Sequence, residues 1–187
     1  RDVERSRGLG DVYKRQLDNS NVRDLKPWDI SYYSDKYKQE KYDFNDECLR
    51  PYFKSENVIN GVFEVARKLY GLNFKKVNNV DKFHEDVNIY EVSDIESNYI
   101  GLLYEDIYPR STKRGGAWMN QLKSQGLSSK GMQKPHVTFN CNLTKSTANK
   151  PALLSQGEVR TIFHEFGHCL HGQVRTRPDW DILIKLP

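Results

Sequence analysis

Within the run TIFHEFGHCLHG, residues 161–172, His164 and His168 stand four residues apart with Glu165 beside the first. On an α-helix, residues four apart lie one turn apart on one face, about 5–6 Å between β-carbons. Two imidazoles so placed can bind one zinc ion from the same side, at about 2.0–2.1 Å per bond. Glu165 is turned ~100° from His164 around the helix, so it stands beside the metal rather than among its ligands. From there its carboxylate can take a proton from a water that the metal activates and pass it to a leaving amine. His171 falls near the same face, and its spacing suits a residue that supports a ligand or packs rather than a third ligand. With five His and eleven Glu in the chain, chance yields an H-E-x-x-H in roughly 1% of such sequences. The pattern is therefore specific.

Such a site needs a helix that begins cleanly. Ser155 followed by Glu158 matches the S-x-x-E capping box, and the spacing predicts a helix from about Gln156 to about Val174. Upstream, Val58, Val62, Ala66 and Leu69 recur at three- or four-residue steps before Gly71, which predicts a helix over Ser55–Tyr70. Asp29–Tyr42 reads as another helix, with Tyr32, Tyr33 and Tyr37 on one side. Between these helices the period changes. "VNIYEV" (87–92) and "NYIGLLYEDIY" (98–108) read as the two strands of a hairpin. "STKRGGAW" (111–118) reads as a loop entering a short element, and "SQGLSSKGMQKP" (124–135) and "TKSTANKP" (144–151) as loops. "HVTFNCNL" (136–143) alternates Val137, Phe139, Cys141 and Leu143 with polar partners, the pattern of a half-buried strand.

Composition narrows the function further. Hydrophobic residues make up 37% and charged residues 29%, so the core is modest. The net charge of +4 is spread along the chain without a basic patch, which argues against a nucleic-acid face. Cys48, Cys141 and Cys169 are widely spaced and form no CxxC pair, so neither a disulfide framework nor a cysteine zinc site is indicated. A reducing compartment, and hence a cytoplasmic location, is expected. No apolar run nears the ~20 residues of a membrane span, and no secretory signal is visible. Residues 1–16, nearly all charged or small, read as a flexible or foreign tail.

The metzincin pattern requires Gly three residues after the second His and a further His three later. His171 and Val174 stand there instead. The remaining large class takes a Glu from a later helix as third ligand. At this point the sequence resembles the thimet-oligopeptidase family of zinc peptidases. "EVRTIFHEFGHCLHG" is similar to that family's zinc helix. "LKPWDISYYSDKY", "LRPYF", "NVINGVFEVARKLYGLNF", "IGLLYEDIYPRSTKRGGAW" and "CNLTKSTANKPALL" follow in the order expected upstream. The likeness covers roughly residues 25–174, and the "CNLTK" run and Gly172 look most like the bacterial peptidyl-dipeptidase branch.

The resemblance implies a mainly α fold with a small β-sheet (α+β), the zincin-like catalytic region of a clamshell helical metallopeptidase, here incomplete. It implies hydrolysis of short peptides, with one zinc ion per parent domain, His164 and His168 as ligands and Glu165 as base. The expected mode is peptidyl-dipeptidase; the alternatives are an endo-acting oligopeptidase or a catalytically incompetent zinc-binding fragment. The strand from His136 to Leu143 could serve as an edge for an extended peptide or simply as core. Lys113 and Arg114 could face a peptide carboxylate or merely be solvated. Residues 17–174 are taken as a partial catalytic domain, and 175–187 as a tail that departs from the family. After His168 the only acidic residues are Asp179 and Asp181. The third ligand is expected beyond Pro187, and the chain alone is expected not to be a competent peptidase. Neither a nucleic-acid nor a membrane partner is expected, and the oligomeric state is left open.

Overall fold

The computed structural model describes residues 26–27, 29–42, 46–129, 131–147 and 151–174. The two expected tails, with Asp179 and Asp181, lie outside the described residues. The chain divides into two compact units at Cys48/Leu49. In the first, helix α1 (Asp29–Tyr42) matches the predicted range. Its tyrosines meet its own lysines, with Lys36 over Tyr32 and Lys41 over Tyr37.

The second unit is built on α2 (Ser55–Tyr70), α3 (Gln156–Val174) and a mixed sheet. A 3-10 helix, Asp46–Tyr52, leads into it. The strands are β1 (Asn73–Val77), β2 (Asn88–Ser93), β3 (Tyr99–Asp106), β4 (Trp118–Lys123), β5 (Gly126–Ser128), β6 (Gly131–Gln133) and β7 (His136–Asn140). Five of them form one sheet in the order β1-β2-β3-β7-β4, and β5 and β6 pair separately. The predicted hairpin is β2–β3, antiparallel. The segment read as the loop 124–135 instead contains the β5–β6 hairpin, with Leu127 opposite Met132. Three-residue strands are too short to show an alternating pattern, and the sequence signal there is dominated by Gly and Ser.

β7 corrects a second expectation. It lies between β3, to which it runs parallel, and β4, to which it runs antiparallel. Both its faces are covered: Thr138 and Asn140 are buried alongside Val137 and Phe139. The polar pair survives burial because Asn140 Nδ2 donates to Thr138 Oγ1 (2.8 Å) and to the Trp118 carbonyl (3.1 Å). An interior strand offers no free edge, so β7 is core, and the sheet's edges are β1 and β4. The approach of Pro135 to β3 requires Gly101. A β-carbon there would lie 2.3 Å from the Pro135 oxygen, which accepts a hydrogen bond from Leu102 N.

The two helices pack on one face of the sheet. α2 buries Val58, Ile59, Val62 and Ala66, whereas Leu69, expected in that stripe, is 66% exposed. The left-handed Gly71 (φ 65°) ends the helix one residue after Tyr70, which packs against the core where Leu69 was expected. α3 buries Ile162, Phe166, Cys169, Leu170 and Val174. Phe166 sits among Phe63, Phe74 and Phe139, with ring centroids 5.6–6.3 Å away. The segments that enter the two helices are themselves joined. Ser55 N donates to the Ala152 carbonyl, Leu154 N to the Phe53 carbonyl, and Lys54 bridges to Leu153.

The end of β3 carries two adjacent carboxyl groups on opposite faces. Asp106 accepts both terminal nitrogens of Arg110 at 2.8 and 2.9 Å and Lys113 Nζ at 3.0 Å. Burial raises its pKa, but the hydrogen bonds from Arg110 and Lys113 outweigh that and hold the carboxyl below its usual range. Lys113 is also buried, and it donates to the carbonyls of Asp106, Tyr108 and Cys141. It therefore ties the ends of β3 and β7 together and has no free ammonium for a peptide carboxylate, the role considered for it from sequence. Arg114, the other residue of that pair, stacks over Trp118.

Glu105 faces the helices. Asn88 Nδ2 and Tyr90 Oη both donate to its Oε2 at 2.9 Å, but burial prevails and raises its pKa. Two predictions follow from these signs. Asp106→Asn leaves the Lys113 ammonium buried without a counter-charge and should cost about 3–5 kcal/mol; urea unfolding at neutral pH measures it. Glu105 folds more readily protonated, so it costs stability as pH rises above its unfolded value of about 4.3. Glu105→Gln should match wild type near pH 4 and exceed it at pH 7 in the same assay.

Candidate metal centre

The capping box forms as the sequence predicts. Ser155 Oγ accepts from Glu158 N at 3.2 Å, and Ser155 N donates to Glu158 Oε2 at 2.7 Å. α3 then runs unbroken through both histidines. Because its buried stripe lies on the sheet, Gly157, Thr161, His164 and His168 form the exposed stripe opposite.

His164 Nε2 and His168 Nε2 are 3.2 Å apart, with ring centroids 4.7 Å apart and planes at 85°. Two nitrogens bound to one tetrahedral zinc at 2.0–2.1 Å stand about 3.3–3.4 Å apart. The pair therefore fits zinc in both spacing and donor type. Among the described residues no third His, Cys, Asp or Glu joins them in a cluster. His171, three residues on, is exposed.

Glu165 is half-buried and accepts no hydrogen bond from the described residues. Its charge is felt by two thiols. Burial pushes Cys141 up to about 12 and Cys169 higher still, and Glu165 adds to the shift of each. The three cysteines are unpaired.

Sequence reasoning missed what holds the helix close to the edge strand. A β-carbon on Gly172 would lie 3.3 Å from both Met119 Cε and Val137 Cγ1, and Gln121 Nε2 donates to the Gly172 carbonyl at 3.2 Å. Gly172 could have signalled a close approach, but nothing in the sequence said to which strand.

A capped helix presenting a paired-histidine face beside a mixed sheet defines an α+β domain. The model of Peptidase family M3 matches residues 4–178, so the chain belongs to that family. It is 46% identical over 151 residues to Oligopeptidase A of Escherichia coli (strain K12), covering 80% of this chain and 22% of that protein. Dipeptidyl carboxypeptidase of the same organism is 40% identical over 149 residues, covering 78% and 21% respectively. Saccharolysin of Saccharomyces cerevisiae is 36% identical over 160 residues, covering 79% and 22%. The chain spans about a fifth of the length of the curated relatives it matches.

Zinc titration of the purified chain tests the pair. Wild type and Glu165→Gln should bind with equal affinity, whereas His164→Ala and His168→Ala should each lose most of it. Equal binding by all four proteins removes the pair from metal ligation.

Proposed function

We propose that this chain carries the metal-binding and proton-transfer part of a zinc peptidase that hydrolyses short peptides. The observation that carries the reading is the 3.2 Å convergence of the His164 and His168 ring nitrogens on an exposed helix face. Membership of Peptidase family M3 supports it. In this reading residues 17–174 are part of a zincin-like catalytic region in a clamshell scaffold.

His164 and His168, whose Nε2 atoms converge, would hold the metal. When bound, zinc supplies Lewis-acid polarisation of water and of the peptide carbonyl. Glu165, one residue along and without a hydrogen bond from the described residues, accepts the proton of the attacking water and delivers it to the departing amine. β4, the edge strand packed beside α3, is where an extended peptide can add as a further strand. In this reading backbone recognition falls to β4 rather than to the buried β7.

Two modes of cleavage follow from the names of the relatives. Release of C-terminal dipeptides accords with "Dipeptidyl carboxypeptidase", and cleavage of oligopeptides with "Oligopeptidase A", whose identities are higher. A peptide amidated at its C-terminus separates them, because only an endo-acting enzyme should still cut it. Three unpaired cysteines accord with a reducing, cytoplasmic setting, and no described helix is long and apolar enough to cross a membrane.

In the intact protein, Glu165→Gln should retain zinc and lose about 10²–10⁴-fold in kcat. Metal content and turnover measured on the same preparation check this, and near-normal kcat would move the base elsewhere.

A further inference from the structure

A cleft of about 560 Å³ opens at the start of α3. Its walls are the loop residues Gly116 and Ala117, the chain after β7 at Cys141 and Leu143, and the helix residues Gly157 and Thr161. Three features connect it to the metal centre. Thr161 is one turn, about 4.5 Å along the axis, before His164. Gly157, Thr161, His164 and His168 share one exposed stripe. Ala117 is the residue from which the edge strand β4 departs. A peptide paired to β4 and crossing the histidines therefore has this cleft beside it.

The walls are small and mostly apolar. Ala117 and Leu143 supply methyl groups, Cys141 is buried with its thiol neutral, and Gly116 and Gly157 supply bare backbone. The polar groups at the rim are already engaged. Glu158 closes the capping box with Ser155, Thr161 Oγ1 donates to the Gly157 carbonyl, and Asn142 Nδ2 donates to the carbonyls of Arg114 and Gly116. A polar side chain entering here would lose water and find few free partners, whereas an apolar one would lose nothing.

The geometry points to this cleft as the subsite that receives an apolar side chain of the peptide substrate. Gly157 sets its capacity. A β-carbon there meets only Ser155 Oγ, at 3.8 Å, so the position is open and a larger residue fills the cleft rather than the core. The assignment rests on the peptidase reading above.

Gly157 also makes the test clean, since replacing a helical glycine improves helix propensity. The probes are dye-labelled acetylated tripeptide amides with a central Leu, Lys or Glu. Their binding is measured by fluorescence anisotropy in the Glu165→Gln chain, so that nothing is cut, with and without zinc. The Leu peptide should bind best. Gly157→Leu should weaken it about tenfold, the scale of burying one mid-sized apolar side chain. Gly157→Asp, which also suits the first turn of a helix, should shift preference toward the Lys peptide. Zinc affinity should be the same in both variants. No selectivity among the peptides, no peptide binding, or an unchanged Leu affinity in Gly157→Leu overturns the subsite. If zinc binding survives His164→Ala and His168→Ala, the peptidase reading fails, whereas the subsite is still decided by the ratio of wild-type to variant peptide affinity.

Discussion

The packing of Phe166 fixes the rotation of α3, and the geometry of the site depends on it. Its ring is enclosed by Phe63, Phe74 and Phe139, so the helix cannot turn about its axis without breaking an aromatic cluster shared by α2 and two strands. With 3.6 residues per turn, anchoring Ile162, Phe166, Cys169 and Leu170 on the sheet leaves one outward stripe. His164 and His168 belong to it. Glu165, ~100° round from His164, falls on the boundary between stripe and core, and its carboxylate is accordingly half-buried. Histidine, carboxylate and aromatic anchor thus occupy the consecutive positions 164, 165 and 166 and lie on different faces of the same helix.

A second constraint fixes the sheet against that helix. Gly172 brings α3 to within van der Waals contact of β4 and β7. The ends of β3 and β7 are joined by Lys113, whose ammonium reaches a carboxylate and three carbonyls. A buried lysine is tolerated because every proton it carries meets an oxygen acceptor and its charge faces Asp106, itself braced by Arg110. This knot determines how the chain leaves β3, passes Gly116 and Ala117, and enters β4. The edge strand and the cleft beside it are therefore positioned by the Asp106–Lys113 ion pair rather than by the histidines.

Local order in the sequence was strong wherever one segment supplied its own evidence. The Ser155–Glu158 box, the four-residue histidine spacing and the Gly71 stop each involve residues a few positions apart, so the helices Asp29–Tyr42, Ser55–Tyr70 and Gln156–Val174 were legible from the chain alone. The β2–β3 hairpin was legible for the same reason, since a short turn joins its strands. The residue types at 164, 165 and 168 also determined the chemistry to be expected of that helix.

Only the tertiary structure decided what depends on partners distant in sequence. β7 follows β4 in the chain but is inserted between β3 and β4, and no local pattern encodes that insertion. Its alternation of apolar and polar residues suggested an exposed face, yet Thr138 and Asn140 are buried because their hydrogen bonds are met across the sheet. Lys113 looked like a solvated loop cation until Asp106 and Cys141, 7 and 28 residues away, were brought to it. Leu69 fitted the apolar stripe of α2, yet Tyr70 packs on the core and Leu69 faces out. Sequence spacing sets which residues share a face of one element; which face is covered, and by what, is set by the packing of elements that the chain connects only at a distance.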